Sequence, residues 1–331
     1  MPGCLLNRQY ACRRLDLSGR PSSLLKALHG VVALVLMGFL PTMAYCTPPG
    51  DVSLPDTQSF TLASPETGHD YLIQVALPEA PPPAGGYPVV YLLDGNAYLP
   101  LVKVARDTLT RKGPRGPGSP LMIVAIGYPG AARFDFDQRA LDYTPPHAAR
   151  NKSEDVHGGA DRFLAFINTR LKPEIARRFE VNPDREALFG HSFGGLFAVH
   201  VLLTAPASFN RYIAISPSLW WYGDSPVGAI EDLQRTRPDH DESAAPYVLL
   251  GAGGLEQTPD PSERGTPKAR QIRARAVIDN VGAFADWLEG RHPTWSVQTT
   301  LFPGEGHGSV MWPATRRAIE FLHGQAGNKG H

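Results

Sequence analysis

Cysteine is scarce in this chain. There are three in 331 residues, Cys4, Cys12 and Cys46, and all precede the segment that reads as folded. A chain processed near residue 45 would keep one or none, so an intrachain disulfide framework is excluded and a catalytic thiol or cysteine-built zinc site is disfavoured. Net charge is missing too: Lys plus Arg and Asp plus Glu both number 32. No global field draws in nucleic acid or an acidic membrane surface, and no nucleic-acid partner is expected. No internal repeat or low-complexity block is visible. What is present, 42% apolar and 19% charged residues with 33 Gly and 32 Pro, fits a packed globular protein with many turns.

The one apolar run that raises the question of a membrane is Val31 to Leu40. It is too short for a comfortable span, so no stable membrane span is expected in the processed chain. Arg8, Arg13, Arg14, Arg20 and Lys26 precede it, and Pro41 to Ala44 follow. That order reads as a signal peptide over residues 1–46, with an uncleaved anchor as the alternative. Arg13-Arg14-Leu15 hints at a twin-arginine signal but lies far from the apolar run. Met43-Ala44-Tyr45-Cys46 is a poor lipoprotein site, because Tyr45 is large where a small residue is needed. Both readings put the folded part outside the cytoplasm, periplasmic or secreted.

After a Pro-rich linker, strands are expected at 60–62, 71–77, 89–93, 121–126, 187–189, 212–215, 247–250 and 295–301. The runs Val89 to Leu93 and Leu121 to Ile126 are apolar throughout, as for strands buried on both faces. Helical spacing covers 97–112, 159–179, 195–204, 268–290 and 313–324. The alternation predicts an α/β fold: a mostly parallel central sheet, an antiparallel N-terminal edge where two strands come without a helix between them, and helices on both faces. One domain is expected over residues 57–325. Residues 128–157 read as an irregular polar insertion that caps the site, rich in Arg133, Asp135, Asp137, Arg139, Asp142, Arg150 and Lys152.

Gly190-His191-Ser192-Phe193-Gly194 fits G-x-S-x-G at a strand-to-helix junction. The flanking glycines suit a sharp, strained turn that lifts the Ser192 hydroxyl above the sheet edge. A serine hydroxyl needs an adjacent base. His307 follows the last strand in a glycine-rich loop. His323 lies inside the final helical pattern and His331 at the end of the chain, so neither is well placed. His191 and His200 read as structural. The third member should follow the strand at 247–250. Glu256 is the candidate, Asp260 and Glu263 the neighbours, and a dyad without a carboxylate is the alternative. An oxyanion hole needs two backbone N–H groups, expected from Phe193 and from Asn96 in Asp94-Gly95-Asn96-Ala97. No metal or cofactor is expected.

Several segments together resemble the putative-esterase (esterase D-like) family of α/β-hydrolases. They are Val90 to Ala97 (VYLLDGNA), Gly190 to Phe197 (GHSFGGLF), Ser216 to Trp221 (SPSLWW) and the Gly306-His307 loop. The resemblance runs from about 57 to 325 and is greatest to periplasmic esterases that open the trilactone of ferric enterobactin and related catecholate siderophores. It implies the α/β-hydrolase fold, catalytic Ser192 and His307, and backbone donors near Asn96 and Phe193. Some relatives use a Glu as the acid, while the trilactone esterases work with a weak or absent one. The implied activity is hydrolysis of an ester or lactone through an acyl-enzyme, and the implied partner is a small-molecule ester, a ferric catecholate siderophore. A multiply anionic chelate would want a basic, aromatic-lined mouth, for which Arg133, Arg139, Trp220 and Trp221 are candidates. The alternatives are a broad carboxylesterase or acyltransferase on small esters, and a non-catalytic binding protein on a hydrolase scaffold.

Overall fold

A computed structural model describes residues 53–109, 120–146, 156–223, 225–236 and 244–324. The segment 1–46, the cysteines, Arg150 and Lys152 lie outside them.

Eight strands form one sheet in the order β1-β2-β4-β3-β5-β6-β7-β8. They are β1 Thr57–Ser64, β2 His69–Ala76, β3 Tyr87–Leu92, β4 Met122–Gly127, β5 Val181–His191, β6 Arg211–Ile215, β7 Tyr247–Gly253 and β8 Ser296–Phe302. β2 is antiparallel to both β1 and β4, and every other pairing is parallel. β3 and β4 are buried along their whole length, as continuous Val/Ile/Leu runs require when both faces are covered. β1, on the outer edge, alternates toward solvent.

Two apolar layers enclose the sheet. One contains Leu99 and Val102 of α1 (Gly95–Leu109) and Met311, Ala314 and Ile319 of α9 (Met311–His323). The other is larger. It takes in the helices between β4 and β5, α5 (Phe193–Thr204), and α8 (Val277–Arg291). α5 is apolar all round and buried from Gly194 to Leu203, so it is the central helix rather than a surface one. The described residues from Ser53 on belong to one compact unit.

Several expected elements differ. The insertion is not wholly irregular, because α2 (Phe136–Tyr143) forms inside it, N-capped by the Asp135 carboxylate on the Gln138 amide at 2.9 Å. The helix expected over 159–179 is α3 (Ala160–Phe166), a π turn (Ile167–Leu171) and α4 (Lys172–Arg178). Pro173 has no N–H for the carbonyl four residues back, which is where the ladder widens. The 268–290 helix is two, α7 (Pro267–Arg275) and α8, split at left-handed Ala276 (φ 42°). α7 buries Ala269 alone, so packing does not hold it in line with α8. β5 begins six residues earlier than expected, where its first half is partly exposed. Helix α6 (Pro226–Thr236) had no counterpart in the sequence reading.

Candidate active site

The parallel strands deliver every candidate group to one edge of the sheet. β5 ends at His191 and α5 begins at Phe193, so Ser192 is the whole turn, with φ 59° and ψ −117°. This conformation is strained for a residue with a Cβ, and two neighbours make room for it. A Cβ on Gly190 would lie 2.1 Å from the Gly194 carbonyl oxygen, and one on Gly195 would press on β6 at 3.0 Å from the Ile215 oxygen. Gly194 has ordinary space by comparison, 3.4 Å to Leu93. The Ser192 amide is fixed to the Ile215 carbonyl at 3.0 Å.

β8 hands over to the loop that carries His307, and β7 to the loop that carries Glu256. The two loops are laced together: the Gly254 amide donates to Phe302 O at 2.8 Å and Leu255 to Glu305 O at 2.9 Å. His307 Nδ1 lies 2.6 Å from Glu256 Oε2, and its Nε2 lies 2.9 Å from Ser192 Oγ. A carboxylate only accepts, so Nδ1 carries the proton and Nε2 presents a lone pair to the serine hydroxyl. Glu256 is buried, and its other oxygen accepts from the Gly253 amide at 2.7 Å and from the Ser216 hydroxyl. Burial pulls this carboxyl upward, but the hydrogen bonds from His307, Ser216 and Gly253 outweigh it and hold the group below the ordinary carboxylate value. Ser216 reaches it from a left-handed backbone (φ 46°).

His191 points toward the histidine loop. Its ring centroid is 4.7 Å from that of His307. Nε2 lies 2.8 Å from the His307 carbonyl oxygen, which fixes the proton on Nε2, and Nδ1 accepts from the Tyr98 hydroxyl at 3.1 Å. Burial, with His307 and Arg139 nearby, holds this imidazole well below its usual value, so it is a neutral clamp on the loop. His200 is buried against Asp161 at 2.7 Å, away from these groups.

Asn96 and Phe193 each lie in the first turn of a helix that starts at the end of one of two adjacent strands. First-turn amides have no intrahelical acceptor and are available to an anion. The Asn96 side chain serves elsewhere: it accepts from the Tyr128 amide at 2.8 Å and donates to Tyr128 O and Ala131 O at 3.1 and 2.9 Å. It occupies the space a Cβ on Gly127 would fill.

A cavity of about 630 Å³ opens over Ser192, His191 and His307. Its walls are Leu101 and Val104 of α1, Met311 and Trp312 of α9, and Phe134 and Phe136 of the insertion. Phe136 and Trp312 are each 70% exposed, a large apolar area for the rim of a cleft. Arg133 lies on the same rim, its guanidinium 5.6 Å from the Phe134 ring centre.

Three expectations for substrate contacts need correction. Arg139 reaches the cavity wall, yet it is buried and gripped by Asp94 in a two-pronged pair at 2.8 and 2.9 Å, so its charge is already matched. Trp221 is a core residue, 2% exposed, with its indole N–H donating to Pro145 O at 3.2 Å. Trp220 does not line the cavity; it packs beside Phe193 with the Arg275 guanidinium 4.8 Å from its ring centre. Sequence reasoning passed over Tyr98, Ser216 and Asp94 as site residues. Their one available signal was their place immediately after, or one turn beyond, a strand that ends at the site.

Residues 64–303 match the family described as Putative esterase. The chain is 35% identical over 280 residues to the ferri-bacillibactin esterase BesA of Bacillus subtilis, covering 82% of this chain and 91% of that one. It is 36% identical over 272 residues to the apo-salmochelin esterase of Escherichia coli, covering 78% and 76%. Among solved structures, siderophore hydrolase EstB from Aspergillus nidulans superposes with a TM-score of 0.71 at 33% identity, covering 83% of this chain and 97% of that one.

Proposed function

The chain belongs to the putative-esterase family of α/β-hydrolases and is a carboxylic ester hydrolase, and from that premise we propose that it cleaves the ester or lactone backbone of a siderophore with Ser192 as nucleophile. The observation that carries this reading is the chain of contacts Glu256–His307–Ser192 at 2.6 and 2.9 Å. Ser192 Oγ attacks the ester carbonyl while His307 Nε2 takes its proton. Glu256 holds the ring in the required tautomer and stabilises the imidazolium that forms. The Asn96 and Phe193 amides receive the charge that develops on the carbonyl oxygen. His307 then protonates the departing alkoxide, and water reverses the sequence on the acyl-enzyme.

The substrate class rests on relatives named for siderophores, and on a cleft with aromatic walls and Arg133 on its rim, the other lining arginine, Arg139, being paired with Asp94. Export by residues 1–46 would place the enzyme where such chelates arrive. A broad carboxylesterase is the second reading, and the apolar character of Val104, Phe136 and Trp312 favours it. Product analysis decides between them. Metal-free and ferric trilactone siderophores are incubated beside a panel of simple aryl esters, with the wild type and Ser192→Ala. We expect ring opening by the wild type and none by the variant, with ligand binding retained. Ser192→Ala activity near the wild-type rate would end the mechanism, and turnover confined to simple esters would end the siderophore assignment.

A further inference from the structure

We propose that the buried Asp94–Arg139 pair is a positioning device for the oxyanion hole, coupling the insertion helix α2 to both turns that present its amides. The inference rests on the reading of Ser192, Asn96 and Phe193 given above.

Asp94 occupies the turn between β3 and α1, two residues before Asn96. Its backbone is left-handed (φ 53°) and it is 2% exposed. An aspartate held there is strained unless its surroundings over-determine it. Three sets of contacts do so. Arg139 Nε and Nη2 donate to the two carboxylate oxygens at 2.8 and 2.9 Å. The Asp94 amide donates to the Tyr143 hydroxyl at 3.2 Å, one helical turn beyond Arg139 on the same face of α2. The Asp94 carbonyl accepts from the Ala97 and Tyr98 amides at 2.9 and 3.1 Å, closing the first turn of α1 around Asn96.

The same guanidinium reaches the second turn. It lies 5.7 Å from the ring centre of Phe193, the residue after the nucleophile. A Cβ added to Gly194 would stand 3.6 Å from Asp94 Oδ2, so carboxylate and elbow are in near contact. One planar fork thus touches the strand-end turn that carries Asn96 and the elbow that carries Phe193.

Stability alone is a weak reason for such a pair. Replacing a buried ion pair by apolar side chains of similar volume is often neutral or stabilising. The pair is neutral as a unit, so its contribution to a developing negative charge is geometric. Two N–H groups stabilise an oxyanion when both aim at one point, and displacement of a catalytic group by about 1 Å costs about a hundredfold in rate. A bidentate guanidinium fixes distance and rotation together, which an ammonium at the same place cannot.

The test is Arg139→Lys, which keeps the charge and removes the fork. Steady-state turnover of a p-nitrophenyl ester is normalised to sites titrated with an organophosphonate, and the affinity of an alkylboronic acid, which mimics the tetrahedral adduct, is measured in parallel. We expect kcat per titrated site to fall about tenfold to a hundredfold, KM to stay within about threefold, and boronate affinity to fall by the same factor as kcat. The pH dependence of kcat/KM should keep its wild-type midpoint, because the Ser192–His307–Glu256 contacts are untouched. A purely structural role would reduce the number of titrated sites and leave kcat per site unchanged, and that result overturns the proposal. So does a rise in KM at constant kcat, which would make Arg139 a ground-state substrate contact. If Arg139→Lys does not fold, Tyr143→Phe removes only the hydroxyl that holds the Asp94 amide. It is expected to lower kcat and boronate affinity together, and no change in either refutes the coupling. Inactive Ser192→Ala beside unaffected Arg139→Lys and Tyr143→Phe would defeat this inference and leave the reading of the site standing.

Discussion

Asp142 should make the protein less stable as pH rises through the mildly acidic range. It lies on α2, one residue before Tyr143, and is 1% exposed. Its carboxylate accepts from the Tyr71 hydroxyl at 2.9 Å, the Tyr128 hydroxyl at 3.2 Å and the Gln138 side-chain Nε2 at 3.3 Å. Burial dominates these bonds and the more distant Arg162, and pushes the group from 3.8 up to about 6. That difference corresponds to about 3 kcal/mol between the protonated and ionised folded states. The folded chain holds this proton more tightly than the unfolded chain does. Its contribution is therefore complete below the unfolded value and is lost as pH rises through about 6, at about 1.4 kcal/mol per pH unit in between. Other carboxyls act oppositely at lower pH; Glu66, for example, is held at about 2. The contribution of Asp142 is isolated by comparing the wild type with Asp142→Asn, which cannot ionise and still offers an oxygen to Tyr71. Urea unfolding at a series of pH values from about 4 to 7 should show the wild type losing about 2.4 kcal/mol relative to the variant. A difference that stays constant within about 0.5 kcal/mol across that range would refute the assignment of a raised, buried carboxyl at this position.

Glu256→Gln keeps the shape of the acid but accepts a weaker bond from His307 and leaves the tautomer unfixed. We expect kcat to drop by about 10² to 10⁴ with KM nearly unchanged, measured per titrated site. A loss of less than about threefold would mean that Ser192 and His307 work as a dyad. Gly190→Ala should fail at folding and not at chemistry, because its Cβ would stand 2.1 Å from the Gly194 carbonyl oxygen. The expected loss is at least about 3 kcal/mol by thermal or urea unfolding, and a variant as stable as the wild type would show that the elbow can open without penalty.

Local chemistry was legible in the sequence, as were the loops after β7 and β8 that bring Glu256 and His307 to Ser192, while the partners of the other buried polar side chains were not. The elbow announces itself because its constraints lie within a few positions: Ser192 must take a left-handed turn, and Gly190 and Gly195 must yield space to backbone on either side. β3 and β4 could be read from their unbroken apolar runs, and the antiparallel edge from two strands without a helix between them. His191 reads as structural and is so, but the loop it clamps was not legible, because the side of the sheet edge toward which a residue next to the nucleophile turns depends on where β8 and its loop arrive, more than a hundred positions later. The insertion was misjudged for a related reason. Phe136 to Tyr143 has charged and polar residues at positions that look like a solvated helix face, yet Arg139 and Asp142 point inward.

What turns that face inward is a partner for each charge, and those partners sit on distant strands and turns. Asp94 meets Arg139 from the end of β3, and Tyr71 meets Asp142 from β2. Without them, burying a guanidinium and a carboxyl on one short helix would cost several kcal/mol for each ion. With them, the helix has one register against the sheet: rotating it by a single residue, about 100°, would bury one charge without its acceptor and expose Tyr143. A polar helix of this kind therefore specifies position more sharply than an apolar one, whose contacts tolerate sliding. Here that sharpness is set against the turn before Asn96 and the ring of Phe193, where a small displacement would matter most to an ester carbonyl.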